Sequence, residues 1–275
     1  MSVARAGREV VEWGMRAQYL VLIAGCGRFG FGEAPAGDGM PDGPRDVCDA
    51  TPGADSVALY TFEGGSVADA TGAHPGIAEG TLGVVAGRCG ATAIEFSSSY
   101  VRVPDSPAFD LEAGAIELFV RTSTPAAGTE QGILSRDANG TDFDGHLSIG
   151  LAKNGQLWVR LQRMLGNLSV FRCSEPLPAD QWVHVGVSFG GADGFGLWID
   201  HVRSTTTTAM VTNSMVDCTT PHPYGIAGND NTLVLGVLDF TAVNSDPNPV
   251  VVEPFTGGQL DQIHIHSQPK DFGVP

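Results

Sequence analysis

Carboxylates and histidines are the residues of this chain best suited to moving protons or holding metals, so their spacing comes first. Two carboxylates at alternating positions of one strand would share a face and suit paired acid/base work. No such pair occurs, and Glu95 and Glu117 stand alone in their runs. There is no Gly-x-Ser-x-Gly elbow, no His-Glu-x-x-His and no glycine-rich phosphate loop. No catalytic residue is expected. His264 and His266 lie two apart, hence on one strand face, a spacing that could hold a transition metal. Nothing in the sequence supplies a third ligand, so solvated strand histidines are expected. Asp137-Ala138-Asn139-Gly140-Thr141-Asp142-Phe143-Asp144-Gly145 is dense in oxygen. Its spacing is not that of an EF-hand loop and no Glu closes it, so it reads as an exposed acidic loop.

These groups need a scaffold, and the scaffold reads as strands. Trp182-Val183-His184-Val185-Gly186-Val187-Ser188-Phe189 alternates apolar with small or polar residues, as does the run ending Leu197-Trp198-Ile199-Asp200. A period of two makes each a strand with one buried face. Gly190-Gly191-Ala192-Asp193-Gly194 between them is a turn cluster, so the two form an antiparallel hairpin. Val57–Phe62, Ala93–Phe96, Tyr100–Val103, Ala115–Arg121, Gly132–Arg136 and His146–Leu151 are further strands. Gln156–Arg163 and Leu168–Cys173 form a second hairpin, and Leu233–Gly236 and Gly258–Ile265 close the series. About a dozen short strands without a convincing helix predict an all-β, two-sheet antiparallel sandwich or jelly roll.

Alternation also predicts directions. Leu157, Val159 and Leu161 face the core, so Trp158, Arg160 and Gln162 point away from it. His184 and Trp198 likewise point outward. Trp and Arg on an open sheet face could stack a sugar ring or anchor a peptide, which makes Trp158, Arg160, Gln162, His184 and Trp198 the candidate ligand-binding residues. The alternative is that loops cover both tryptophans.

The 275 residues include 37 Gly, and only 17% are charged, which suits short strands and tight turns. A net charge of −16 disfavours nucleic acid and anionic membrane surfaces as partners. It fits calcium, neutral sugars or plain solubility.

Arg5, Arg8 and Arg16 precede the apolar run Tyr19-Leu20-Val21-Leu22-Ile23-Ala24. A basic segment, a short apolar stretch and small residues make a secretory signal over 1–25, with Met15 as an alternative start. The run is too short to span a bilayer, which takes about 20 residues. Ile23-Ala24-Gly25-Cys26 resembles the lipobox of bacterial lipoproteins. That resemblance implies lipidation of Cys26, and Gly27 after it implies the outer membrane, on its periplasmic side or at the cell surface. The alternative is a buried helix with an ordinary cysteine. Residues 26–54 are rich in Gly, Pro, Asp and Ala and read as a flexible tether. The domain is expected over 55–270, with 271–275 as a tail. Setting Cys26 aside, Cys48, Cys89, Cys173 and Cys218 suggest disulfides in an exported chain. Three connectivities are open. Cys173–Cys218 with Cys48–Cys89 is favoured, and four free thiols are the alternative.

Several segments resemble laminin-G-like, concanavalin A-like jelly rolls in the right order. They are ALYTFE at 58–63, VADATG at 67–72, GRCGATAIEFSSSYVRVPDSPAFDL at 87–111, IELFVRT at 116–122, KNGQL at 153–157, the Trp182 hairpin, LVLGV at 233–237 and FTGGQLDQIHIHS at 255–267. One departure is that Asp200 is followed by His201 where the family usually has Gly. The resemblance implies a non-catalytic module recognising carbohydrate or extracellular protein, with a glycan-active enzyme or a purely structural surface protein as alternatives. It also implies a structural calcium at Glu63, Asp69 and Asp261. Against that, Asp69 could simply cap a turn and Asp261 pair at a sheet edge.

Overall fold

A computed structural model describes residues 48, 51–122, 129–137, 145–162, 169–192, 194–211, 214–219, 225–226, 228–239 and 248–273. Cys26, the signal segment and nearly all of the tether lie outside them, as do residues 138–144 of the acidic loop. The first strands are β1 (Ser56–Tyr60), β2 (Ile77–Glu79), β3 (Gly83–Ala86), β4 (Thr92–Glu95) and β5 (Tyr100–Val103). The middle supplies β6 (Gly114–Thr122), β7 (Gln131–Arg136), β8 (His146–Leu151), β9 (Gln156–Gln162) and β10 (Ser169–Pro176). Next come β11 (Trp182–Gly191), β12 (Gly194–Ile199), β13 (Val202–Arg203), β14 (Thr208–Val211) and β15 (Ser214–Asp217). The last are β16 (Leu233–Leu235), β17 (Leu238–Asp239), β18 (Val251–Val252) and β19 (Gly258–His266).

β14 pairs with β15 and β17 with β18, and the remaining strands build two antiparallel sheets. One runs β13-β12-β11-β6-β19-β4-β3 with β1 also on β19, and the other runs β10-β9-β8-β7-β16-β5-β2. β7 to β10 and β11 to β13 follow one another as meanders, but β6 lies between β11 and β19 and β16 lies between β5 and β7, and these long-range pairings are the mark of a jelly roll. Val183, Val185, Val187, Phe189 and Leu197 from the first sheet meet Leu157, Val159 and Leu161 from the second in one core. Each such side chain contributes about 1.5–3 kcal/mol by leaving water. The alternation read from sequence therefore sets which face of β9, β11 and β12 meets the core.

Two local departures from regularity shape the outer face of the first sheet. Between β6 and β19, Asp261 pairs with Phe119 and His264 with Glu117, so two residues, Gln262 and Ile263, oppose Leu118 alone. This β-bulge shifts the phase of the strand. Leu260, Ile263 and Ile265 all enter the core, and His264 and His266 stay on the outer face. In the β12–β13 hairpin, Ile199 pairs with Val202, and Asp200 and His201 take φ of 46° and 67°. Positive φ at both central residues is the geometry of a tight primed turn. Here a histidine adopts it where a glycine would be cheaper, because its ring Nδ1 reaches the Phe272 carbonyl at 3.0 Å.

Packing continues past residue 270. Phe272 forms a small buried cluster with Ala115 and Trp198 on the outer face of the first sheet. Phe272, within the 271–275 tail read from sequence, thus packs onto the fold.

Candidate functional site

The outward residues do not form one site. Trp158, Arg160 and Gln162 sit on the outer face of the seven-stranded sheet, whereas His184 and Trp198 sit on the outer face of the other, across the core. Neither tryptophan is open. Trp158 is 3% exposed and packs with Ala152, Ala209, Leu238 and the Cys173–Cys218 pair. Gly150 leaves room for its ring, since a Cβ there would lie 2.8 Å from it. The roof is the β14–β15 hairpin, held by the disulfide. Trp198 is 6% exposed under Phe272. An open aromatic sheet face is therefore not what the structure builds, because hairpin and C-terminal segment each bury one indole.

The disulfides join Cys48 to Cys89 and Cys173 to Cys218, with Cα–Cα distances of 5.1 and 5.6 Å. Both lie within the usual span for a disulfide.

Arg160 and Gln162 belong to a polar network. Asp137 Oδ1 bonds His146 Nδ1 and its Oδ2 accepts from the Ser148 hydroxyl at 2.5 Å and from Arg160 at 3.0 Å. Gln162 Oε1 accepts from Arg160 at 2.5 Å and from the Ser169 hydroxyl at 2.7 Å. Aspartate, histidine and serine are the residue types of a nucleophilic triad, but the order is wrong. Asp137 takes the Ser148 hydrogen bond itself, where catalysis needs the imidazole there. The network reads as satisfied buried polarity that orders the sheet face.

The three residues of the expected calcium site behave differently. Asp69 is buried, and its carboxylate accepts from the N–H groups of Leu59 (2.8 Å), Thr71 (3.0 Å), Ala73 (3.2 Å) and His74 (2.9 Å) and from the Thr71 hydroxyl. Burial opposes its charge, but these donors outweigh burial and hold the carboxyl below its ordinary range. Its lone pairs are committed to a loop. Asp261 and Glu63 instead share the 87–92 loop. Asp261 Oδ2 accepts from the N–H of Arg88 at 2.6 Å and of Cys89 at 2.8 Å, and Glu63 Oε1 accepts from Ala91 N–H at 3.1 Å. Burial raises the Asp261 carboxyl, and the charge of Glu63 adds to that. Its Oδ1 is buried with no hydrogen-bond partner.

Glu117, isolated in the sequence, is not isolated in space. β11 and β19 flank β6. His184 Nε2 lies 3.4 Å from Glu117 Oε2, and Oε1 faces His266 Nε2 at 3.1 Å and His264 Nδ1 at 3.4 Å. All four side chains are buried. Burial works against the carboxylate, but the three imidazoles facing it outweigh burial and hold Glu117 well below the usual range. The expectation of solvated strand histidines fails here: Phe272 and His201 cover His184, and Asp55 and Ser56 close over His264 and His266. No local signal pairs Glu117 with residues about 150 positions away. Only the β6–β19 register does.

Two clefts open at the β12–β13 end. One, about 380 Å³, is lined by Ser188, Trp198, Arg203, Pro269, Lys270 and Asp271. The other, about 300 Å³, is lined by Leu177, Ile199, Val202, Arg203 and Thr206 among others. Arg203 borders both and stacks over Trp198 at 5.2 Å. Val202, in the wall of the second cleft, is 69% exposed.

The sequence profile of the family described as the concanavalin A-like lectin/glucanases superfamily matches residues 96–269. No curated protein matches the chain by sequence. The fold is similar to the binding domain of Paraclostridial Mosquitocidal Protein 1, with TM-score 0.56, 14% identity, and coverage of 79% of this chain and 50% of that one. It is also similar to the binding domain of botulinum neurotoxin DC solved in complex with rat synaptotagmin II (TM-score 0.52, 12% identity, 79% and 49% coverage). A structure of botulinum neurotoxin type C, which depends on two ganglioside molecules to get into cells, gives TM-score 0.51, 12% identity and 79% and 49% coverage. The chain spans about half the length of these solved chains. At such identities the likeness is one of fold.

Proposed function

The chain belongs to the concanavalin A-like lectin/glucanases superfamily, and from that membership we propose that it is a non-catalytic binding module recognising carbohydrate or protein at the bacterial cell envelope. The observation that carries this is Arg203, which borders both clefts and rests on the buried Trp198 ring. A guanidinium fork beside the Ser188, Lys270 and Asp271 polar groups suits a sugar or a polar peptide. The carboxylates and histidines described above are instead engaged with one another or with backbone, which suits a scaffold better than acid/base turnover. The neurotoxin likenesses support a binding role, since one of those domains engages synaptotagmin and another toxin uses gangliosides.

The same reading includes export by the 1–25 signal and anchoring through lipid on Cys26, with residues 26–54 as tether. Calcium is part of it in a reduced form. Glu63 and Asp261 fit an oxygen-liganded ion, given the unpartnered Asp261 Oδ1. Asp69 does not fit, because its oxygens already serve the loop.

The test is a glycan array probed with the chain from residue 27 onward, with and without calcium, beside an Arg203→Ala variant. Binding lost in the variant supports the cleft. Calcium-dependent binding places the ion near the ligand. Absence of any glycan binding moves the reading to a protein partner.

A further inference from the structure

The cluster around Glu117 has the donor set and spacing of a metal centre. Glu117 from β6 and His264 and His266 from β19 each offer one ligand atom, all within 4.8 Å of one another. The Oε1–Nε2 and Oε1–Nδ1 separations of 3.1 and 3.4 Å match the roughly 3.3 Å edge of a tetrahedron with ~2 Å bonds, the geometry of zinc on imidazole and carboxylate. We propose that Glu117, His264 and His266 bind one zinc ion on the outer face of the first sheet.

A second observation points the same way. His264 Nδ1 is buried with no hydrogen-bond partner, though it faces the carboxylate. A buried unpaired ring nitrogen is costly, and a metal supplies what it lacks. Of the ring atoms that would not bind metal, His264 Nε2 meets the Ser56 hydroxyl at 2.6 Å, and His266 Nδ1, which has no hydrogen-bond partner, faces the Asp55 carboxylate with Oδ2 at 3.4 Å. A carboxylate behind a ligating imidazole is the usual outer-shell support of zinc. His184 holds the other oxygen of Glu117. Three protein ligands leave the fourth tetrahedral position to a water; the ligands are buried beneath Asp55 and Ser56, and the ion's role is to fasten β19 to β6. It is separate from the Glu63–Asp261 pair and independent of any ligand in the clefts.

The experiment uses the full chain, purified without a metal-affinity tag and stripped with chelator. Zinc is titrated against a competing indicator, cobalt is added in parallel for its tetrahedral absorption bands, and the melting temperature is read with and without zinc. Uptake of one equivalent, a raised melting temperature and tetrahedral cobalt bands are expected. His266→Gln should lose uptake, Asp55→Asn should weaken it by about 10–100-fold, and His74→Gln, remote from the cluster, should keep it. Should the first two variants fail to fold, the cobalt spectrum of the unmodified chain decides, since octahedral bands or none overturn the proposal. So does uptake unchanged in a folded His266→Gln variant, or no stoichiometric uptake at micromolar zinc.

Discussion

The ring of Phe272 lies on Gly186, so closely that a Cβ built on the glycine would sit 2.4 Å from it. The glycine at the centre of β11 is thus the seat of the C-terminal segment, and that segment roofs Trp198 and His184.

Gly186→Ala should therefore lift the segment, costing about 1–3 kcal/mol as overpacking does. Phe272→Ala should uncover the same surface without the clash. Both should shift tryptophan fluorescence to the red and lower the melting temperature. An unchanged spectrum in both would mean the segment does not cover Trp198.

Replacing Cys173 and Cys218 by Ser should free the β14–β15 hairpin over Trp158. The cross-link closes a span of 45 residues, and its loss should lower stability by about 2–4 kcal/mol in equilibrium denaturation. Iodide quenching should rise for Trp158. The Cys48/Cys89 pair of substitutions should leave that quenching unchanged.

Asp69 makes part of the stability acid-sensitive. Its folded carboxyl lies below its unfolded value, so its contribution is complete above about pH 4, the ordinary range of an unfolded aspartate, and is lost as pH falls through the folded value. Asp69→Ala strands several loop N–H groups and should cost about 1–3 kcal/mol at neutral pH. It should also flatten this part of the stability–pH curve, which chemical denaturation at stepped pH would reveal.

Among the described residues Arg136 is the largest fully buried side chain, and it donates to the carbonyls of Phe109, Ile226, Asn229 and Asn231. Its ion pairs with Asp105 and Asp110 involve carboxylates about a third exposed, and such pairs contribute little. The carbonyls dominate. Arg136→Ala strands these buried carbonyls at about 1–3 kcal/mol for each left unsatisfied, read as a collapse of soluble yield or of the denaturation midpoint.

Cys26→Ser should move the protein from the membrane fraction to the soluble fraction when cells are lysed. Retention in the membrane fraction would remove the lipid anchor from the proposed function.

The inward faces were legible because alternation is local: Val183, Val185 and Val187 announce their side within one strand. The polar outer faces were less so. Burial of Trp158 depends on a hairpin some fifty residues onward, and burial of Trp198 on the last few residues of the chain. Neither leaves a mark near the tryptophan itself. The histidine spacing at 264 and 266 was visible, but its partner Glu117 was not.

The sequence by itself determined the all-β class, the longer strands and which of their residues face the core, since a period of two and turn-forming glycines act over a few residues. Only the tertiary structure decided the surroundings of the polar residues. The bulge at Gln262 sets the register of β19 on β6, and a one-residue difference there would turn His264 and His266 inward. That register, fixed by burying Leu260, Ile263 and Ile265 together, is what brings two histidines and a distant glutamate into one buried cluster.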